Sequence, residues 1–232
     1  MNPPTDPTLE DSLQDSLDPL KRSPNSSKHE KIVQSRLLAS AELKHQVSKH
    51  CLKEILAAAE LIAESLRSGG KLLLCGNGGS AADCQHIAAE LVNWLTKDFE
   101  RPGLAAIALT TDTSFITAHA NDCAFESVFA RQVQAIGKSG DVLLGISTSG
   151  NSANVMQAVV LAKSLGIGAI ALTGSGGKLM QLADVTIAVP STNTQHIQES
   201  HLSIEHILCE LVECLLFPER DEISTAANTK FI

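Results

Sequence analysis

The sequence predicts an α/β protein, a three-layer αβα sandwich on a five-stranded parallel sheet preceded by N-terminal helices. Three observations predict it. Short apolar runs alternate with helical segments through most of the chain. Those runs are apolar at nearly every position instead of every second one. Two of them are followed by glycine- or serine-rich loops that open helices. Strands with two apolar faces need helices on both sides, which is how parallel sheets are built.

The opening MNPPTDPTLEDSLQDSLDPLKRSPNSSK holds five of the eight prolines and few apolar residues, so residues 1–29 are expected to be a disordered acidic, proline-rich tail. Between residues 30 and 68 apolar side chains recur at helical spacing, first Ile32, Leu37, Leu38, Leu43 and Val47, then Leu52, Ile55, Leu56, Ala59, Ile62 and Leu66. This reads as two helices with a break near His50 and a stop at Gly69-Gly70, packing on the domain and on an oligomer interface. The α/β domain is expected over 69–217. Its strands are KLLLC (71–75), LAAIAL (104–109), DVLLGIS (141–147), GAIALTG (168–174) and DVTIAVP (184–190), and its final helix runs from about Gln195 to Leu216. Residues 218–232 read as a C-terminal tail.

Composition narrows the function. A net charge of −8 and the lack of any long basic cluster argue against sequence-independent nucleic-acid binding. No run of about 18 apolar residues and no signal-peptide pattern is present, so no membrane association and a cytoplasmic location are expected. The six cysteines show no CxxC pairing, which fits reduced, mostly buried thiols.

GNGGSA (76–81) fits the dinucleotide fingerprint, but the acidic residue that should hold a ribose after the second strand is missing; that strand ends in LTTD. The first loop has an echo. LLLCGNGGSAADCQHIAAEL and LLGISTSGNSANVMQAVVLA both run strand, Gly/Ser loop, helix start. In the second loop, Ser147, Thr148, Ser149 and Ser152 bring several hydroxyls to free backbone N–H groups at a helix N-terminus, a phosphate site that needs no dedicated cation. A plain cap by Ser152 would need only one of those hydroxyls. His86 and Glu90 stand at i and i+4 on the helix after the first loop, where such a pair suits a metal, an acid/base couple, or an ordinary surface contact. QHIQESH (195–201) and then His206 form a second cluster at the start of the last helix.

These stretches also carry a resemblance. From about residue 35 to 217, CGNGGSAADCQHIAAEL, AIALTTDTS, ANDCAFESVFARQV, GDVLLGISTSGNSANV, ALTGSGGKL and IQESHLSIEHILCELVE resemble the phosphoheptose isomerases, the sedoheptulose 7-phosphate branch of the sugar isomerase (SIS) domain superfamily with its flavodoxin-like sheet. The resemblance implies one zinc per subunit on His86, Glu90, Gln198 and His206. It places sugar-phosphate contacts on Asn77, Gly78, Gly79, Ser80, His86, Glu90, Asn121, Asp122, Ser147, Thr148, Ser149, Ser152 and Gln198. The implied reaction converts sedoheptulose 7-phosphate to D-glycero-D-manno-heptose 7-phosphate for lipopolysaccharide core heptose. Glu90 and His206 would move the protons; how Glu90 divides between zinc ligand and base stays open.

Gln198 and His206 would stand about 12 Å apart along one regular helix. A single metal reaches both only if Gln198 precedes the helix or if subunits share the site, which points to active sites near subunit boundaries and agrees with the homotetramers of the family. Two departures stand out. Trp94 occupies a position where relatives often have Arg, leaving Lys97 or Arg101 to replace it, and His196 stands where many have Arg before Ile-Gln. A rival expectation comes from a non-catalytic tetrameric branch that binds the replication initiator DnaA, which the tail CLLFPERDE resembles. Glu90 and His206, not kept as Glu and His in that branch, favour the enzyme over it and over another sugar-phosphate isomerase or sensor. His119 and His201 match no ligand position and read as structural.

Overall fold

The computed structural model describes residues 26–220; residues 1–25 and 221–232, which hold most of the two expected tails, lie outside the described residues. α1 runs Ser26–His50 and α2 Leu52–Arg67. The helix thus begins inside the segment expected to be tail, because Pro24 is the last helix breaker before it and the serines that follow suit a helix start. The break after His50 and the stop at Gly69, which has φ 78°, lie where the sequence places them.

The chain divides into two compact units, with the boundary inside α1 after Ala39. In the first unit the described residues are helical, and Ile32, Val33, Leu37 and Leu38 are exposed. The second unit holds everything from Ser40. Its elements are β1 (Leu72–Gly76), α3 (Gly79–Val92), β2 (Ala106–Ala108), α4 (Thr113–Asp122), α5 (Val128–Ile136), β3 (Val142–Ser147), α6 (Ala153–Ser164), β4 (Gly168–Thr173), β5 (Val185–Ala188) and α7 (Thr194–Leu216).

All five strands are parallel, in the order β2-β1-β3-β4-β5. Alternate strand residues feed two cores. Leu72, Leu74, Val142 and Leu144 pack with Ile55 and Ile62 of α2, Ile87 of α3 and Leu208 of α7. Leu73, Cys75 and Leu143 face the other way, against Val128 and Val133 of α5 and Val155 and Val159 of α6. This two-sided burial is why the strands read as unbroken apolar runs. β2 is shorter than the run 104–109 suggests: it pairs only with β1, and Ile107 is left exposed at the sheet edge. Strand order reverses between β1 and β3, so the loops after these two strands lie side by side at the carboxyl edge, the usual ligand crevice of such sheets.

Cys51, Cys75, Cys84 and Cys209 are buried free thiols. Burial pushes the Cys75 thiol up to about 12, which makes it inert.

Candidate active site

The two Gly/Ser loops are tied together by side chains. Asn77, just after β1, and Asn154, in the first turn of α6, exchange both carboxamide hydrogen bonds: Asn77 Nδ2 donates to Asn154 Oδ1 at 2.9 Å, and Asn154 Nδ2 returns one to Asn77 Oδ1 at 2.8 Å. In the second loop Ser147 Oγ lies 2.8 Å from Ser152 Oγ and 3.5 Å from Ser149 Oγ. Ser152 occupies the N-cap of α6 but makes no capping bond, and Gly78 at the N-cap of α3 has no side chain to cap with. The first amides of two neighbouring helices are therefore left for a ligand. Gly150, at φ 64°, lets the serine loop press against Gly176 and Gly177, whose atoms would collide with any Cβ there.

The second group of side chains stands on α3 and α7. His86 Nε2 and His206 Nε2 are 2.7 Å apart, one donating to the other, with the rings edge to face. Glu90 Oε1 lies 3.7 Å from His86 Nδ1, one helical turn along. Glu90, His86 and His206 thus stand in a row, with a hydrogen bond between the two imidazoles and a wider gap between His86 and Glu90. Gln198, earlier on α7, reaches the start of α3 instead. Its Nε2 donates to both Asp83 carboxylate oxygens, at 3.4 and 3.2 Å, and its carboxamide fills the space where Gly79 lacks a Cβ. Burial holds the Asp83 carboxyl above its usual range, against the opposing pull of the Gln198 bond and of His86.

Several expected residues stand differently. Gln198 lies inside α7, in the same unbroken helix as His206, so it does not precede the helix. Within one chain, Gln198 faces Asp83 while His206 faces His86. Asn121 and Asp122 are exposed at the end of α4, where Asn121 Nδ2 donates to Asp122 Oδ1; no hydrogen bond among the described residues joins them to the two groups above. Arg101 is buried and bound to Glu213 and to backbone carbonyls, in the loop after α3 and hence at the amino edge of the sheet. It cannot replace an arginine on the phosphate from there. Two residues not singled out in the sequence, Asp83 and Asn154, prove to orient Gln198 and Asn77. Their only signal was a polar side chain on the inward face of an otherwise apolar helix. His119 bonds Ser127 at 2.8 Å and His201 is fully buried.

Among the described residues no three His, Cys, Asp or Glu side chains already form a metal cage. The donor chemistry nevertheless fits zinc: two imidazole nitrogens that converge, a carboxylate on the same helix face as one of them, and a carboxamide whose nitrogen is engaged by Asp83, leaving its oxygen as the free donor.

A family model for the SIS domain matches residues 38–174. The phosphoheptose isomerase of Roseiflexus sp. (strain RS-1) is 52% identical over 182 residues, 78% of this chain and 91% of that protein. That of Thiobacillus denitrificans is 53% identical over 192 residues, 81% of this chain and 96% of the relative. The chain belongs to the phosphoheptose isomerase family of SIS-domain proteins. Among solved structures, phosphoheptose isomerase GmhA from Neisseria gonorrhoeae superposes with a TM-score of 0.75 at 45% identity, covering 79% of this chain and 98% of that one. These phosphoheptose isomerases give no support to the DnaA-binding expectation. Among the described residues, no helix is long and apolar enough to cross a membrane.

Proposed function

We propose that the protein is a phosphoheptose isomerase that converts sedoheptulose 7-phosphate to D-glycero-D-manno-heptose 7-phosphate through a cis-enediol, supplying heptose for lipopolysaccharide core. The observation that carries this reading is the chain Glu90–His86–His206 standing beyond an uncapped two-loop anion cradle. From Gly79 to His86 the helix rises about 10 Å, the reach of an extended seven-carbon sugar with phosphate at one end and carbonyl at the other.

The phosphate sits on the amides and hydroxyls of the 147–152 loop and of Gly78–Ser80. A base removes a proton from C1 and O2 takes up a proton, giving the cis-enediol; O1 then gives up its hydroxyl proton to become the new carbonyl as an acid returns a proton to C2. Glu90 and His206 share these roles, with His86 between them. His86, Glu90, Gln198 and His206 would hold one zinc, which when bound supplies polarisation of the carbonyl. Asp83 serves by keeping the Gln198 oxygen turned outward.

The site is completed at a subunit boundary of a homotetramer. Two features support this: Gln198 and His206 lie eight residues apart in one helix, and Leu52, Leu56 and Ile207 leave an uncovered apolar groove between α2 and α7. The buried free thiols of Cys51, Cys75, Cys84 and Cys209 fit the reducing cytoplasm.

Incubation of purified protein with sedoheptulose 7-phosphate, with and without chelator, tests the reading. Glu90→Gln and His206→Ala are each expected to cut turnover about a hundredfold or more; full turnover in both variants would refute the assignment.

A further inference from the structure

α3 ends without a cap of its own. Its last turn contains no basic residue, and Asn93 at the C-cap, with φ −90° and ψ −107°, is not in the left-handed conformation that usually closes a helix. One side chain from the following loop reaches three of the leftover carbonyls, that of Leu91 shared with the Leu104 N–H. Arg101 donates through Nη1 to the carbonyls of Leu91 at 2.7 Å and Asn93 at 3.0 Å, and through Nη2 to that of Glu90 at 3.0 Å. Through Nε it donates to Glu213 Oε1 at 2.9 Å, an oxygen that also accepts from the backbone N–H of Leu95 at 3.2 Å. The two charged side chains are 1% and 0% exposed. Glu213 stands on α7, about two turns beyond His206.

The geometry points to Arg101 and Glu213 as a positioning pair for proton transfer. They form a buried clasp that fixes the end of α3 carrying Glu90 against the helix carrying His206. This rests on the reading of Glu90 and His206 as the proton-transfer groups. Stability alone does not account for the clasp, since a buried ion pair commonly breaks even against apolar side chains of the same volume. What apolar side chains cannot reproduce is a fork bonded to the backbone of Glu90 itself. Lysine cannot either, since a single ammonium does not span three carbonyls and a carboxylate. A slip of about 1 Å in Glu90 is enough to cost up to a hundredfold in rate. The phosphate loops lie at the other end of α3, so substrate capture is untouched.

The test compares kcat and KM for sedoheptulose 7-phosphate in the holoenzyme and four variants: Arg101→Met/Glu213→Met, Arg101→Lys, Glu90→Gln, and Lys71→Met. The last breaks a separate ion pair with Asp141 at the amino edge of β1 and β3. The double variant removes both charges of the clasp; Arg220, whose Nε lies 3.3 Å from Glu213 Oε2, loses that partner and keeps Asp98 at 3.9 Å and Glu210 at 4.0 Å. This variant is expected to melt cooperatively and to lose about tenfold or more in kcat, with KM within about twofold. Arg101→Lys is expected to fall between it and wild type, and to decide the matter if the double variant does not fold. Lys71→Met is expected to lower Tm and leave kcat unchanged. In chelator-treated protein, emission of Trp94, adjacent to the Asn93 carbonyl that Arg101 holds, is expected to shift to the red in the two Arg101 variants only. Unchanged kcat in folded Arg101 variants, beside an inactive Glu90→Gln, overturns the clasp alone; an active Glu90→Gln overturns the underlying reading with it.

Discussion

Ser152 stands where a helix cap belongs and does not cap. Its hydroxyl is spent on Ser147, at 2.8 Å, in the loop proposed to hold the phosphate. Ser152→Ala is accordingly expected to raise KM about tenfold while costing less than the ~1 kcal/mol of a lost cap, which saturation kinetics and thermal melts on one preparation would check. His201, fully buried, bears on acid stability instead. Burial pushes its pKa down from 6.5 to about 4, with the Thr173 backbone only partly opposing. Above pH 6.5 both folded and unfolded forms are neutral and nothing is lost. As pH falls from 6.5 towards 4 the unfolded chain takes up a proton that the folded chain refuses, so stability drops by up to about 3 kcal/mol. Denaturant melts at pH 7 and pH 5 are expected to show a loss smaller by about 2 kcal/mol in His201→Met than in wild type. At this scale the sequence was readable where chemistry repeats along a helix, as with His86 and Glu90. It was silent on Asp83 and Asn154, because a lone Asp or Asn in a helix looks like surface until the fold shows which partner it faces.

Among the elements, the strands were the most legible, since each is an apolar run with covered faces. The bounds were less so: β2 shrank to three residues at the sheet edge and α1 began earlier than the tail composition implied. Spacing alone could not reveal how helices hold each other, which depends on the long-range contacts of α3 with α7 and of the two loops. The Asn77–Asn154 exchange is the clearest of these contacts. Asn154 is 3% exposed, and Asn154→Ala would strand the Asn77 carboxamide and release the amide of Val155, which donates to Asn154 Oδ1 at 2.9 Å. A loss of about 1–3 kcal/mol together with a raised KM is expected, measured by urea unfolding and kinetics. Gly79→Ala strikes the other joint: its Cβ would push Gln198 off Asp83. The expected result is a fall in kcat/KM of about tenfold or more with the fold intact by circular dichroism.

For the whole molecule, the balance of surfaces matters more than any one bond. Net charge is −8, yet Leu52, Leu56, Ile207 and Leu215 stay exposed along α2 and α7, an arrangement that suits burial by further copies. Light scattering is expected to give about four times the 24.5 kDa chain mass, with Leu56→Glu giving smaller, inactive species; a fully active monomer would contradict a shared site. The reciprocal amide exchange also bears on how long the enzyme lasts. Asn77 precedes Gly78, the pairing in which a side-chain amide is most readily attacked by the next backbone nitrogen and turned into a carboxylate. Holding that amide against Asn154 keeps it out of the reactive pose. A molecule whose loops loosen would therefore age at Asn77, and each such event would leave a permanent negative charge in the proposed phosphate cradle.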